Sequence, residues 1–218
     1  MAVICHEIDK NHCFLNGCHS FGGSVFYALH TENIVLCLIS KPIPVISLAL
    51  LLKPNSLYRK FIMAGLLFSM LGDVFLTQYV DNFMLGLASF FVAHIAYIIA
   101  FVQLSCKKAV LAAIISYSVG IAMYAFLYPM LGDLKIPVLL YILIIITMVW
   151  RSVAQHNNSP ASKLAIIGAV LFALSDSTIA INKFYMPLPY AQDVIMVAYW
   201  AAQALIFTSA YKQNTLSS

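Results

Sequence analysis

Seven long apolar runs, at about 34–52, 61–79, 83–104, 108–128, 134–152, 161–182 and 190–211, constrain this chain more than any other feature. A helix needs roughly 20 apolar residues to cross the hydrocarbon of a bilayer, and each run has that length. Inside hydrocarbon every backbone N–H and C=O must bond within the protein, so such runs fold as helices. An earlier stretch at about 13–30, rich in glycine and polar groups, reads as a weak first span. The expected fold class is therefore all-α, a polytopic transmembrane helical bundle of eight spans, seven clear and the first weak. Only 9% of the 218 residues are charged, against about 25% in an ordinary soluble domain. That leaves no room for a soluble domain. The chain divides into an N-terminal segment (1–33) with the weak span, a transmembrane bundle (34–211) and a C-terminal tail (212–218).

The minor features narrow the classes further. The N-terminus, MAVICHEIDKNHC, is polar and lacks the apolar core of a cleavable signal peptide. The net charge of +4 comes from residues at helix ends, which speaks to topology and gives no reason to expect a nucleic-acid partner. Five cysteines without CxxC spacing imply no disulfide framework. The pairs Cys5-His6, His12-Cys13 and Cys18-His19 match no structural zinc pattern, and HExxH is missing, so no metal is expected.

Charge fixes orientation. Lys53, Arg59, Lys60, Lys107, Lys108, Arg151, Lys163 and Lys212 fall on one side; Glu32, Asp81, Asp133 and Asp193 fall on the other with Lys135 and Lys183. The positive-inside rule makes the basic side, with the C-terminus, cytosolic.

Two acids lie inside spans: Asp73 in GLLFSMLGDVFL and Asp176 in GAVLFALSDSTIA. A carboxylate in hydrocarbon is costly unless paired, wetted or protonated, so such an acid is by default a functional-site candidate. Gly65 and Gly168 each stand eight residues ahead of their acid, with a small residue, Gly72 or Ser175, directly before it. Lys135-Ile-Pro-Val faintly echoes Lys41-Pro-Ile-Pro-Val. The halves then read as two parallel four-helix repeats, and repeat interfaces are where membrane proteins often carry their sites. Counting residues from the span ends puts Asp73, Asp176 and Lys41 at one level, roughly 9–10 Å below the non-cytosolic boundary at 1.5 Å per residue.

Two carboxyls close together in a low-dielectric pocket cannot both ionise easily, so one is expected to keep its proton beside the other's charge. That makes a general acid next to a general base, suited to cleaving an acid-labile C–O bond. No GxSxG supports serine-hydrolase chemistry. His94, inside FFVAHIAYIIAF, shares a helix face with Tyr97 and is placed to orient a substrate phosphate or a carboxyl. Asn182, Lys183, Tyr199 and Gln203 complete the candidate substrate-binding set, with Lys41.

Four blocks occur in order: GLLFSMLGDVFL, FMLGLASFFVAHIAYIIAF, LSDSTIAINKFYMPLPY and YWAAQALIF. Together, from about Lys41 to Tyr211, the chain resembles the YhhN-type lysoplasmalogenase family, especially its animal members. The resemblance implies an eight-span endoplasmic-reticulum enzyme that hydrolyses the vinyl ether bond of lysoplasmalogens, giving a fatty aldehyde and glycerophosphocholine or glycerophosphoethanolamine. It carries over polar in-membrane positions as Asp73, Asp176, His94 and Asn182-Lys183. The departure is residues 1–33, polar and Cys/His-rich where the family has a well-formed span. Protonation of a vinyl ether carbon by an acid agrees with this substrate and needs no cofactor. Asp73 and Asp176 are read jointly as the catalytic pair, with Lys41 and His94 holding the head group or tuning the acids. The expected partners are a lysophospholipid substrate and membrane lipids, with the oligomeric state open and a homodimer compatible. Competing readings are a proton-coupled transporter, a non-catalytic lipid-binding protein, and an intramembrane aspartyl protease. The last wants GxGD, where this chain has Met70 for the first glycine.

Overall fold

The computed structural model describes residues 42–77, 80 and 82–213. Within them the chain forms seven α-helices: α1 (Ile43–Leu51), α2 (Leu57–Phe75), α3 (Phe83–Leu104), α4 (Val110–Leu127), α5 (Lys135–Ala154), α6 (Pro160–Phe184) and α7 (Ala191–Gln213). Two short 3₁₀ turns, Tyr128–Met130 and Gly132–Leu134, join α4 to α5. Each of the seven clear apolar runs thus holds a helix, though the one in the 34–52 run has only nine described residues. The weak first span, the start of the second and Lys41 lie outside the described residues.

Local chemistry sets the boundaries. Ser56 accepts a hydrogen bond from the Arg59 N–H and starts α2 four residues before the apolar run does. At the other end the Thr77 hydroxyl donates to the Val74 carbonyl at 2.7 Å, and the Asn82 N–H returns to Phe75. These bonds satisfy the last carbonyls of the helix and turn the chain. Helix α2 therefore ends at Phe75 rather than at 79, two residues past Asp73. Asp176 has eight residues of α6 beyond it. The two acids therefore stand at unequal distances from the ends of their helices, because polar side chains close α2 early while α6 runs on to Phe184. Asn82 and Ser159 cap α3 and α6 in the same way, and Pro160 occupies the first turn of α6, where its missing N–H costs nothing.

Five segments are long and apolar enough to cross a membrane: Phe83–Leu104, Val110–Met130, Gly132–Ala154, Pro160–Phe184 and Ala191–Gln213. The protein is thus an integral membrane helical bundle. Helix α2 has 19 residues but carries Arg59, Lys60 and Asp73. Arg59 is buried, and its guanidinium donates to the carbonyls of Ala210 at 3.0 Å and Tyr211 at 2.9 Å. Its charge therefore closes the C-terminal end of α7. Arg151 plays the same part for the end of α3, donating to the carbonyls of Ser105 and Lys107, while the Trp150 indole donates to Lys108. Several of the basic residues thus gather at one end of the bundle.

The helices pair closely as α2 with α3 and as α6 with α7, with α4 and α5 completing the bundle. The two glycines singled out by the repeat make these pairings possible. A Cβ on Gly65 would sit 2.2 Å from the Tyr97 ring, and one on Gly168 would sit 2.8 Å from Ile206 and 3.0 Å from the Ala202 carbonyl. Each glycine opens the space its neighbouring helix fills, eight residues before an acid. Both pairs enclose Phe172, which is fully buried.

Candidate functional site

Phe172 organises the site. The rings of Phe90, His94 and Tyr97 from α3, and of Tyr199 from α7, pack against it edge-on or near it, with centroids 4.8–6.3 Å away. Such edge-on aromatic packing favours one arrangement of rings over a face-to-face slide. It holds His94 and Tyr199 against the α6 residue that stands one turn before Asp176.

Asp176 receives a hydrogen bond from the Tyr141 hydroxyl of α5. His94 Nε2 lies 3.9 Å from the same Oδ2, and its ring packs edge-on against Tyr141 with centroids 5.5 Å apart. Asp73, on α2, lies beside the Tyr199 hydroxyl. Tyr97 itself donates to Gln203 Oε1 at 2.7 Å, tying α3 to α7, and both side chains are fully buried. Ser175, directly before the second acid, donates to the Ile195 carbonyl and locks α6 to α7.

The two acids share a cavity. Asp73 and Asp176 both line a space of about 210 Å³ between α2, α3, α6 and α7, with Tyr199, Asn182, Lys183 and Gln192 on its walls. Lys183 is held with its ammonium 4.5 Å from the centre of the Phe83 ring, a cation–π arrangement near the C-terminal end of α6. Asn182 Oδ1 accepts from the Leu188 N–H at 2.8 Å, so this side chain also fixes the loop that follows α6. A second cavity of about 120 Å³ lies between α3, α4, α5 and α6; it is nearly all apolar, and Asp176 and Tyr141 stand in its wall.

The sequence-predicted set is therefore brought together in two layers. Asp73, Asp176, Asn182, Lys183 and Tyr199 face the polar cavity. His94, Tyr97 and Gln203 stand behind it, packed rather than lining it. Lys41 lies outside the described residues. Sequence reasoning missed Tyr141, Phe172 and Gln192. A tyrosine within KIPVLLYILIIIT reads as one more aromatic in an apolar run, and its partner is 35 residues away. Among the described residues no group of three or more His, Cys, Asp and Glu side chains could hold a metal ion.

The YhhN family profile matches residues 36–210 of the chain. A protein of Bos taurus named lysoplasmalogenase TMEM86A is 41% identical over 176 residues, which cover 77% of this chain and 71% of that protein. Human lysoplasmalogenase TMEM86B is 35% identical, covering 79% of this chain and 74% of its own. A Mycobacterium tuberculosis protein named lysoplasmalogenase is 32% identical over 68% of this chain and 59% of its own length. No solved structure matches the chain.

Proposed function

We propose that this chain, which belongs to the YhhN family, hydrolyses the vinyl ether bond of lysoplasmalogens within the membrane, releasing a fatty aldehyde and glycerophosphocholine or glycerophosphoethanolamine. The observation that carries the reading is the shared cavity, in which Asp73 and Asp176 open on one space with Lys183 beside them. Two acids and a cation in an apolar bundle fit a substrate with an acid-labile bond next to a phosphate. The relatives named lysoplasmalogenase support the same substrate.

Asp73 and Asp176 act as the acid/base pair. One carboxyl gives its proton to the alkene carbon farther from the ether oxygen, and the π electrons form that C–H bond. The oxocarbenium ion so created is stabilised by the ionised partner. Water adds to the carbon bearing the oxygen and loses a proton to a carboxylate, giving a hemiacetal. The hemiacetal collapses as its hydroxyl proton is transferred to the glycerol oxygen and the C–O bond breaks. One water is consumed and both carboxyls return to their starting states. Lys183 pairs with the substrate phosphate, and Asn182, Tyr199 and Gln192 shape the surrounding wall. Tyr141 and His94 are positioning residues for the Asp176 carboxyl, and Tyr97 and Gln203 brace the wall behind. Lys41 joins the head-group side.

The reading includes eight spans in two parallel four-helix repeats, a bundle over 34–211, an endoplasmic-reticulum membrane and a cytosolic C-terminus at 212–218. The matched pairings of α2 with α3 and α6 with α7, each opened by a glycine eight residues before an acid, support the repeat. The basic residues gathered at one end support the orientation. The test is aldehyde release from a lysoplasmalogen by the purified full chain and by Asp73→Asn and Asp176→Asn. Each variant should fold and lose turnover by about 10²–10⁴-fold, the range general acid–base catalysis supplies. Near-normal turnover in either would reject the pair.

A further inference from the structure

The polar cavity accounts for only half of a lysolipid. We propose that the apolar cavity between α3, α4, α5 and α6 binds the hydrocarbon chain of the substrate, and that the scissile bond lies at Asp176, where the two cavities meet. The proposal rests on the lysoplasmalogen reading and deepens it.

Three observations support it. The first is chemical segregation. Aliphatic side chains such as Met123, Ile142, Ile146 and Ala180 make up most of the 120 Å³ cavity, while the neighbouring cavity holds Asp73, Asn182 and Lys183. An empty apolar space favours a hydrocarbon, and a space lined by charges favours a phosphate. The second is the shared wall. Leu76, Phe83, Phe90, Asp176 and Ile179 line both cavities, and of these five only Asp176 is ionisable. In a lysoplasmalogen the vinyl ether joins the apolar chain to the polar glycerol, so a molecule with one part in each cavity has that bond beside Asp176. The third is the way out. Val119 of α4 lines the apolar cavity yet is 64% exposed, in a segment long and apolar enough to cross a membrane. The cavity therefore reaches the lipid-facing surface at α4, and a chain longer than the cavity can continue into the bilayer.

A Cβ on Gly120 would sit 2.6 Å from Ile146 Cδ1, so α4 and α5 meet tightly there and the space runs beside that contact. Ile145 and Ile146 lie four and five residues along α5 from Tyr141, roughly 6–7.5 Å at 1.5 Å per residue. The first methylenes beyond the vinyl group therefore run from Tyr141 toward the middle of the bundle. This arrangement divides the labour of the two acids. Asp176, at the junction, is the one that reaches the alkene carbon, whereas Asp73 faces only the head-group side.

Two measurements on the full chain in detergent test this. A lysophospholipid with a saturated ether-linked chain, carrying a photoreactive diazirine at the fifth chain carbon, is irradiated with the protein, and the labelled peptides are mapped with and without excess unlabelled lysolipid. Competed label on the α4, α5 or α6 residues of the apolar cavity is expected; competed label confined to other surfaces overturns the proposal. In parallel, Met123→Trp fills the cavity and Met123→Ala enlarges it. Aldehyde release from alkenyl substrates with sixteen-carbon and four-carbon chains is then compared. Met123→Trp should lower kcat/KM for the long chain about tenfold more than for the short one, as small volume changes in a hydrophobic pocket do. Met123→Ala should not lower the ratio of long-chain to short-chain kcat/KM. Unaltered chain selectivity in a folded Met123→Trp overturns the proposal. The two readings fail separately: cavity labelling without aldehyde release from any alkenyl substrate rejects the hydrolase reading alone, and aldehyde release with label elsewhere rejects the tail cavity alone.

Discussion

Tyr141→Phe is the sharpest perturbation the site offers. The phenylalanine keeps the ring that packs 5.5 Å from His94 and the wall it gives the apolar cavity. Only the hydroxyl that donates to Asp176 is lost. As Asp176 gives up its proton the bond becomes one to a charged group, worth about 1.5–3 kcal/mol. At about 1.36 kcal/mol for each tenfold in rate, a bond that holds the carboxyl in its reactive orientation should be worth roughly 10–150-fold in kcat. Since the ring that walls the apolar cavity is kept and Tyr141 does not line the polar one, KM should stay within about twofold, the signature of an interaction used in the transition state. Aldehyde release can be followed continuously by coupling it to aldehyde oxidation, with thermal unfolding in detergent as the check on folding. The pair Tyr141→Phe and Asp176→Asn should be strongly non-additive, because the tyrosine acts through the carboxyl. A folded Tyr141→Phe with kcat within twofold of wild type would refute the positioning role.

Other substitutions separate binding, packing and anchoring. Lys183→Met should raise KM about tenfold with kcat nearly unchanged, since one charge-assisted contact to the phosphate is lost; an unchanged KM would remove Lys183 from the head-group site. Gly65→Ala puts a methyl group 2.2 Å from the Tyr97 ring, which Gln203 holds in place, and should destabilise the bundle by about 1–3 kcal/mol as overpacking does. Gly168→Ala meets its nearest side-chain atom at 2.8 Å and should cost less; thermal unfolding of the two variants gives the comparison, and equal stability to wild type in both would contradict the packing. Arg59→Met leaves the carbonyls of Ala210 and Tyr211 without their donor and should cost about 1–3 kcal/mol in stability while chain-length preference is untouched.

The sequence carried the spans, because a run of twenty apolar residues has few folds open to it. It also carried the acids, because a carboxylate in such a run demands an explanation. Boundaries were harder. The expected run reached 79, yet the hydroxyl of Thr77 and the N–H of Asn82 close α2 at Phe75, which the hydrogen-bond geometry reveals. The same early stop leaves Asp73 two residues, and Asp176 eight, from the end of its helix. Tyr141 and Phe172 were silent for a related reason: in an apolar helix an aromatic is ordinary, and its importance comes from partners on other helices. The His94–Tyr97 face was legible as a face, but it points at Phe172, Asp176 and Gln203 rather than into the cavity. The tail cavity is a gap between α4 and α6, and a gap leaves no mark in a sequence.

The central claim is that protonation of the double bond drives the cleavage. It is tested most directly by presenting the purified protein with a lysoplasmalogen and with the analogue whose ether-linked chain is saturated, at equal concentration in the same micelles. The saturated ether has no alkene carbon to accept a proton, so only the vinyl ether should be cleaved, releasing one fatty aldehyde for each glycerophospholipid head group. Cleavage of both ethers at similar rates, or of neither, would contradict the account.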